Sequence, residues 1–360
     1  MLPQLGRIPP HNITDNHNHF AVCRHSNRFA GETQKKIEMN IIGTGRAHPS
    51  LTVTNDMLST FLDTSDEWIT TRTGIKQRQL ISHEKLEDLA AEACNKALED
   101  AGISAKDLDF IICSNVVNEY ITPSLSCIVQ GMIGATCPCL DLNSACAGFI
   151  YALDIANSFF RSKRDINHIL VVCAEEPTRM CDWQERSTCV LFGDGAGAAV
   201  LTRGEDFKNF SLSSLSNVDP LYQIRELEKT PFINKEEFGG PLVMNGQDVF
   251  KLAVNASLND ISRVVEGSGL TYDEVDYYLL HQANIRIIET IRRSLNQDKV
   301  KFPHNIENYG NTSSASLPIL LDELNRNQTV NSGDTIVLSA FGAGFTAGAC
   351  LLKWSKNGKS

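Results

Sequence analysis

The stretches GISAKDLDFIICSN (residues 102–115) and GLTYDEVDYYLLHQ (residues 269–282) follow one pattern. Each has Gly, a branched apolar residue, Ser or Thr, an acid, an apolar residue, Asp and an aromatic residue at the same spacing, 167 residues apart. Each follows an amphipathic stretch, 86–101 or 249–267, and ends in an apolar run typical of a buried strand. The shared unit of helix, turn and strand therefore predicts a duplicated chain.

A second pair of segments supports the duplication. In FGDGAGAAVL (192–201) and FGAGFTAGACLL (341–352), a glycine-rich turn and an apolar strand follow an earlier apolar strand. Alternating helices and fully apolar strands predict an α/β fold with sheets covered on both faces. The sequence predicts two related halves, 38–205 and 206–360. A chance match remained the alternative, because helix-turn-strand units recur in any α/β protein.

Composition limits the classes of function. The 360 residues are 42% hydrophobic and 21% charged, which is enough for a sizeable core. The net charge of −10 argues against a nucleic-acid partner. Eleven cysteines, scattered through apolar stretches, favour a reducing compartment, and we expect a cytoplasmic protein. Residues 1–37 carry four of the nine histidines without periodicity and are predicted to be a flexible extension.

One apolar run raises the alternative of a membrane span. Residues 335–352 carry no charge, and Gly344 and Gly348 stand at the spacing of a membrane helix-packing motif. The β-branched start of the run and its glycines favour a strand, a tight turn and a second strand. We therefore expect no membrane association.

The segment NSACAGFIYALDIANSFF (143–160) places Cys146 among small residues at the start of a helical pattern. Small neighbours permit a sharp turn, and a helix N-terminus stabilises a thiolate and lowers its pKa. Cys146 is therefore a candidate nucleophile. The simpler alternative is a buried small apolar residue, which is the commoner role of a free cysteine.

Two further polar residues stand where apolar segments end. His281 ends the strand VDYYLL, and Asn311 follows Gly310 in NYGNTSSASLP (308–318). Function in α/β proteins gathers where strands leave the core. A structural histidine and a helix-capping asparagine were the alternatives. A cysteine with two neutral hydrogen-bond donors predicts acyl transfer through a thioester.

Six blocks carry a resemblance to a known family. In chain order they are DTSDEWITTRTGI (63–75), NSACAGF (143–149), FGDGAGAAV (192–200), HQANIRI (281–287), YGNTSSAS (309–316) and AFGAGFTAG (340–348). Together they resemble β-ketoacyl-acyl-carrier-protein synthase III, a thiolase-fold condensing enzyme, from about residue 39 to residue 354. The resemblance implies a homodimer and the thiolase fold, a duplicated α-β-α-β-α sandwich of five layers.

The resemblance also implies catalytic roles. Cys146 would accept the acyl group, while His281 and Asn311 would promote decarboxylation of a malonyl thioester. The backbone N–H groups of Cys146 and Ala343 would form the oxyanion hole. The family usually has Gly at the position of Ala343, so a positive φ there would cost about 1 kcal/mol.

The resemblance further implies residues that bind substrates. Those for coenzyme A are Trp68, Arg72, Arg186, Gly246 and Asn284, with Trp68 and Arg186 stacking on the two faces of the adenine. Those for the acidic carrier protein are Lys251, Arg286 and Arg293, the two arginines seven residues apart on one helical face.

Thr122 is a departure that bears on the size of the primer. The family often has a phenylalanine there, which reaches into the acyl pocket of the partner subunit. Threonine is smaller and predicts room for a longer or branched acyl chain. The alternative is that Tyr120 or Ile121 fills the space.

The implied function is initiation of fatty acid biosynthesis. An acyl primer passes from acyl-coenzyme A to Cys146 and is coupled to malonyl-acyl carrier protein with loss of carbon dioxide, giving 3-oxoacyl-acyl carrier protein. No metal or redox cofactor is expected. Three alternatives share parts of this pattern. They are a ketosynthase of specialised metabolism that makes a polyketide, quinolone or ester-like product, a papain-like thiol hydrolase, and an inactive subunit of a heterodimer. The local signature of papain-like enzymes is absent, and an inactive subunit would lack Cys146.

Overall fold

The computed structural model describes residues 21–22, 39–226, 231–232 and 239–356. Apart from Ala21–Val22, the predicted extension 1–37 lies outside the described residues. The strands are β1 (Ala21–Val22), β2 (Asn40–Ala47), β3 (Leu51–Thr54), β4 (Gln77–Leu80), β5 (Phe110–Ser114), β6 (Cys139–Leu142), β7 (His168–Glu175), β8 (Gly195–Thr202), β9 (Phe207–Asn217), β10 (Leu221–Tyr222), β11 (Val243–Met244), β12 (Tyr277–Leu280), β13 (Thr335–Gly342) and β14 (Gly344–Lys353). The α-helices are α1 (Asn55–Ser59), α2 (Asp66–Thr73), α3 (Leu86–Ala101), α4 (Leu125–Ile133), α5 (Gly148–Ser162), α6 (Arg186–Cys189), α7 (Gly246–Glu266), α8 (Ile285–Ser294), α9 (Ile306–Tyr309) and α10 (Ser316–Arg326).

Two five-stranded mixed sheets form the frame. The first has the order β2-β8-β7-β5-β6, and the second has the order β1-β9-β14-β13-β12. In the first sheet β5 runs parallel to β6 and β7, and in the second β12 runs parallel to β13. Apart from β1, which pairs with β9, the strands of the two sheets come from residues 40–202 and 207–353.

Helices cover both faces of each sheet. One core lies between the first sheet and helices α3 and α4, and another lies between the second sheet and helices α7 and α8. The largest core lies between the two sheets and contains the apolar faces of α5 and α10. The result is the predicted five-layered thiolase fold, and the predicted fold class is confirmed.

Paired capping boxes explain part of the repeat. In the first copy, the backbone N–H of Ser104 donates to the Asp107 carboxylate at 2.8 Å, and in the second that of Thr271 donates to the Glu274 carboxylate at 2.8 Å. Each box opens a 3₁₀ turn directly before its strand. These reciprocal bonds satisfy backbone donors at the start of a helical turn, which is why the hydroxyl and the acid recur three residues apart.

The aspartate of each repeat fixes the start of a neighbouring strand. Asp109 accepts the backbone N–H groups of Asn167 and His168 at 2.6 and 3.0 Å, where β7 begins. Asp276 accepts the N–H of Thr335 at 2.8 Å, where β13 begins. The two copies therefore position equivalent pairs of parallel strands.

The apolar run 335–352 forms strands, as predicted. β13 and β14 pair antiparallel from Thr335 opposite Lys353 to Gly342 opposite Thr346. No helix among the described residues has the length and apolar character needed to cross a membrane.

Candidate active site

Cys146 lies in a sharp turn between β6 and α5, two residues before the helix begins. Ala145 takes a φ of 48°, in the left-handed region, and produces the turn that the small residues predict. A Cβ on Gly148 would lie 1.9 Å from Ser114 Oγ, so glycine lets α5 pack against the end of β5. A Cβ on Gly342 would lie 2.5 Å from the Cys146 nitrogen, so the β13–β14 turn approaches the nucleophile's backbone closely.

The Cys146 thiol has a raised pKa. The residue is partly exposed yet lies deep in the protein, and burial raises the pKa of the thiol to about 12. Ser313 Oγ lies 3.4 Å from Sγ, and the hydrogen bond that this hydroxyl can donate to the thiolate form lowers the pKa by less than burial raises it. The sequence predicted a lowered pKa from the helix start, and this direction is wrong because burial, with the nearby Glu175, raises the pKa by more than hydrogen bonds lower it. The resting thiol is therefore protonated and needs a proton acceptor to react.

His281 directly follows β12 and is 2% exposed. Its Nδ1 lies 2.7 Å from Ser316 Oγ, and its ring packs edge-on against Phe341 with the centroids 5.1 Å apart. Burial lowers the pKa of the imidazole to about 3. The side chain is therefore neutral throughout the physiological range.

Asn311 is buried and held by both its backbone and its side chain. Its N–H donates to Leu191 O at 2.8 Å, and its carbonyl accepts the N–H of Gly193 at 3.2 Å. Its Oδ1 accepts the backbone N–H of Ser313 at 2.9 Å. Because Ser313 already donates to Oδ1, the hydrogens of Nδ2 are the donors that this side chain offers to a ligand.

A single short segment, residues 311–316, links the three predicted catalytic residues. Asn311 begins it, Ser313 contacts the Cys146 thiol, and Ser316 contacts His281. Its 3₁₀ turn packs against β7, β8 and α5, at the middle of the molecule. The structure therefore places Cys146 and His281 in contact with one segment, which also contains Asn311.

Glu175, Ser313 and Ser316 were missed by the sequence analysis. Glu175 ends β7 and is 1% exposed. It accepts the hydroxyls of Ser313, at 3.3 Å, and Ser314, and the backbone N–H of Val116 at 3.1 Å. Burial raises the pKa of its carboxyl to about 7. The signal in the sequence was an acid at the end of the apolar run ILVVCAE.

Ala343 does not carry the expected backbone cost. Among the described residues, the non-glycine positions with positive φ are Ala145, Asn296, Ser313 and Gln328. The left-handed conformation in this turn falls on Gly344, with a φ of 131°. Alanine at position 343 therefore meets no strain from a positive φ.

The residues predicted for the adenine form a closed stack. The guanidinium groups of Arg72 and Arg186 lie 4.6 and 4.8 Å from the centroid of the Trp68 ring. Arg186 also donates to the backbone oxygen of Asp63. An aromatic ring between Trp68 and Arg186 needs about 7 Å for two layers of van der Waals contact. The predicted adenine sandwich is therefore closed in this structure, and opening it requires Arg186 to move.

The other predicted binding residues lie at helix starts and on exposed surfaces. Gly246 is the first residue of α7, and Asn284 caps α8 by accepting the N–H of Arg286 at 2.9 Å. Lys251 on α7 and Arg286 and Arg293 on α8 are exposed. The guanidinium of Arg293 lies 3.9 Å from the Glu289 carboxylate.

Thr122 lies in an exposed loop before α4. Its neighbours Tyr120 and Ile121 are 41% and 68% exposed. Neither side chain fills a space inside this chain.

Comparisons with known proteins identify the family. Two family models match the chain: 3-oxoacyl-[acyl-carrier-protein (ACP)] synthase III over residues 140–218, and 3-oxoacyl-[acyl-carrier-protein (ACP)] synthase III C terminal over residues 265–354. A β-ketoacyl-[acyl-carrier-protein] synthase III of Clostridium novyi is 42% identical over 328 residues, covering 88% of this chain and 99% of the relative. The chain belongs to the 3-oxoacyl-[acyl-carrier-protein] synthase III family. The predicted family and the predicted enzyme class, a condensing acyltransferase, are confirmed.

Solved structures agree with this membership. The synthase III of Aquifex aeolicus is 40% identical with a TM-score of 0.81, over 88% of this chain and 100% of that one. A priming β-ketosynthase of the R1128 polyketide pathway is 32% identical with a TM-score of 0.81, over 89% of this chain and 97% of that one. The solved structures that this chain resembles therefore include an enzyme of a polyketide pathway.

Proposed function

We propose that this chain transfers an acyl primer from acyl-coenzyme A to Cys146 and condenses it with malonyl-acyl carrier protein, with loss of carbon dioxide. The observation that carries the proposal is the segment 311–316, which contacts Cys146 through Ser313 and His281 through Ser316 and contains Asn311. A nucleophile and two neutral donors at one site match the needs of both half-reactions. That the reaction needs no metal or redox cofactor, and that the protein is cytoplasmic, stay predictions.

In the first half-reaction the Cys146 thiolate attacks the thioester carbonyl of acyl-coenzyme A. The negative charge that develops on the carbonyl oxygen needs donors fixed in advance. We assign these to the N–H groups of Cys146 and Ala343. The close approach of Gly342 to the Cys146 nitrogen supports this assignment, because it brings the two backbones together.

In the second half-reaction His281 and Asn311 donate to the thioester oxygen of the malonyl group, where enolate charge develops as carbon dioxide leaves. The resulting carbanion attacks the acyl group on Cys146 and forms the new carbon–carbon bond. The bond between the acyl carbon and Sγ then breaks, and Cys146 leaves as a thiolate that takes up a proton. Ser316 Oγ accepts the N–H of Gln282 at 3.4 Å and lies 2.7 Å from Nδ1 of His281. With the serine hydrogen directed at Nδ1, the neutral imidazole carries its own hydrogen on Nε2 and donates it to the substrate.

Mass spectrometry of the intact protein tests the nucleophile. After incubation with acyl-coenzyme A, the native protein should gain one acyl mass, and Cys146→Ala should gain none. Cys127→Ala is the matched control, since Cys127 is an exposed free thiol on α4 and its loss should leave acylation unchanged. Stoichiometric acylation of Cys146→Ala would contradict the assignment.

A ketosynthase of specialised metabolism is the second candidate, because the R1128 priming enzyme shares the fold at 32% identity. Product analysis separates the two. The acylated protein is offered malonyl-acyl carrier protein, malonyl-coenzyme A or a non-malonyl acyl acceptor. Preference for the first supports the proposal, and preference for the last favours specialised metabolism.

We assign coenzyme A binding to the stack of Trp68 with Arg72 and Arg186. The family resemblance adds Gly246 and Asn284 to this assignment. Because the guanidinium of Arg186 lies 4.8 Å from the centroid of the indole, adenine can enter between the two side chains only if Arg186 moves away. Coenzyme A should therefore change the fluorescence of Trp68, and Trp68→Phe should remove that change. An equal change in Trp68→Phe would move the site elsewhere.

We propose that the protein is a homodimer and that the loop containing Thr122 lines the acyl pocket of the partner subunit. Threonine at this position leaves room for a longer primer. The exposed Tyr120 and Ile121 support an interface there, since apolar side chains that are exposed next to each other are typical of protein–protein contact surfaces. Each buried methylene is worth about 0.8 kcal/mol, so Thr122→Phe should reduce kcat/KM for hexanoyl-coenzyme A by about 10²-fold relative to acetyl-coenzyme A. An unchanged ratio would remove Thr122 from the pocket.

A further inference from the structure

The thiol of Cys146 must lose its proton before the sulfur attacks the thioester. Burial raises the pKa of this thiol to about 12, so at neutral pH the nucleophile forms only with the help of a base. His281 has a pKa of about 3, since burial disfavours its charged form, and it is a poor acceptor. A second titratable group is needed beside the thiol.

A continuous chain of hydrogen bonds leads from Cys146 to such a group. Cys146 Sγ lies 3.4 Å from Ser313 Oγ, and the Ser313 hydroxyl donates to Glu175 Oε1 at 3.3 Å. Since the serine hydrogen is directed at Glu175, the serine oxygen is free to accept from the thiol. We propose that Ser313 is a catalytic residue that passes the proton of Cys146 to the carboxylate of Glu175. This inference rests on the proposed function in one respect, namely that Cys146 is the nucleophile.

The surroundings of Glu175 suit a proton acceptor. Three hydrogen bonds, from Ser313, Ser314 and the N–H of Val116, favour its charged form, while burial opposes it. The balance raises the pKa of Glu175 to about 7, which is close to ideal for a general base at neutral pH. Ser114 donates to Ser314 at 3.0 Å and so extends the support of the carboxylate to β5.

The charged and titratable neighbours of Glu175 leave its carboxylate available. Among the described residues, the titratable groups that face it are thiols, Cys113 on β5, Cys146 before α5 and Cys173 on β7 itself, and burial raises the pKa of each. All three are uncharged at neutral pH. The adjacent Glu176 pairs with Arg179 instead, at 3.2 Å.

The backbone of Ser313 is strained in a way that fits a functional position. Its φ of 52° lies in the left-handed region, which costs a residue with a Cβ about 1 kcal/mol. Such conformations persist where the surrounding structure holds them, and they gather at active sites. Here the residue is held between Asn311, Cys146 and Glu175.

The proton balance of the acylation step follows from this chain. The thiol hydrogen moves to Ser313 Oγ as the serine hydrogen moves to Glu175, and the thiolate forms the new bond to the acyl carbon. When the bond to the sulfur of coenzyme A breaks, that sulfur leaves as a thiolate. The proton held by Glu175 returns through Ser313 to the leaving thiolate, so that coenzyme A departs as a thiol and the carboxylate is restored.

Alkylation of Cys146 by iodoacetamide, followed by mass spectrometry of its peptide across pH 5 to 10, tests the relay without requiring turnover. In the native protein the rate should rise with pH up to about 7 and then level, because the carboxylate form is the acceptor. In Glu175→Gln the alkylation rate should no longer level off near pH 7. Its rate should be lower by about 10²-fold at pH 7 and should keep rising to pH 10, as expected for an unassisted thiol. Ser313→Ala should behave in the same way.

Glu176→Gln is the matched control. Glu176 is also buried, and burial also raises its pKa to about 7, but its partner is Arg179. This variant should keep the native rate and profile. Thermal unfolding of each variant identifies any that fails to fold. If one of Glu175→Gln and Ser313→Ala fails to fold, the other decides.

The native rate and profile in Glu175→Gln or Ser313→Ala would overturn the relay. Acyl-coenzyme A labelling of the native protein is measured alongside. If the native protein acylates at Cys146 while both variants keep the native alkylation profile, the relay alone fails. If acyl-coenzyme A does not label Cys146 in the native protein, the proposed function fails.

Discussion

The two halves present equivalent positions to one site and use them differently. The 167-residue offset of the repeat relates Ser114, at the end of β5, to His281, just after β12, and it relates Cys146, before α5, to Ser313, before α10. Ser114 supports Ser314, whereas His281 lies at the site itself. Cys146 and Ser313 are in contact. The duplicated fold thus places the turn with Cys146 in contact with the equivalent turn with Ser313. The role of each turn in the reaction depends on the side chain at this position.

The largest expected effect compares the two strand ends. His281→Ala removes a donor to the developing enolate, which typically costs 10²–10³ in rate, about 3–4 kcal/mol. Ser114→Ala removes only a distant support and should reduce the rate by less than tenfold. The measurement is condensation with malonyl-acyl carrier protein, with acylation of Cys146 as the reference. Equal losses in the two variants would contradict separate roles for the two positions.

A second prediction separates the same positions by pH. His281 has an ordinary pKa of 6.5 when unfolded and about 3 when folded, so the unfolded chain binds a proton first as pH falls. Stability from this group is therefore complete above pH 6.5 and is lost as pH falls toward 3, by about 2 kcal/mol at pH 5. Denaturant unfolding at pH 7 and pH 5 measures the loss.

His281→Ala and Ser114→Ala should differ in how much stability each loses between pH 7 and pH 5. His281→Ala should lose about 2 kcal/mol less than the native protein between pH 7 and pH 5, and Ser114→Ala should lose as much as the native protein. If all three proteins lose the same amount, His281 does not hold a lowered pKa.

The repeat and the positions of the three catalytic candidates could be recognised in the sequence because their signals are local. Each repeat contains its own capping box, and Cys146, His281 and Asn311 each stand at a boundary between an apolar run and a polar or small-residue turn. The fold class followed from strands that are apolar throughout.

What the sequence did not predict depends on contacts between distant segments. An acid at the end of an apolar strand, such as Glu175, is usually solvated, and only the turn from the second half encloses it. The pKa of Cys146 was predicted in the wrong direction for the same reason, because a helix start is visible in sequence and burial is not. The stack of Trp68 with Arg186 joins residues 118 positions apart.

A third prediction tests whether the repeat is structural in both halves. Asp109→Ala leaves two backbone N–H groups without their carboxylate and should cost about 1–3 kcal/mol of unfolding free energy. Asp276→Ala leaves one, at a more exposed place, and should cost about 1 kcal/mol or less. Neither aspartate touches the site, so Cys146 acylation should keep its native rate. A larger loss at Asp276 would show that the second copy carries more of the stability.

The smallest expected effect concerns the outer surfaces of the halves. Arg286 and Arg293 give α8 of the second half a basic surface on a chain of net charge −10, and an acidic carrier protein should approach there. Exposed charges mainly steer association and are screened by salt, and Glu289 beside Arg293 weakens its field further. Arg293→Glu should therefore raise the KM for malonyl-acyl carrier protein by about three- to tenfold at low salt and by less at physiological salt, with acylation from coenzyme A unchanged. Lys106→Glu makes the same charge reversal at an exposed turn of the first half and should leave KM unchanged at both salt concentrations. If both reversals raise KM equally, the effect comes from total charge, and the second half has no special role in docking the carrier protein.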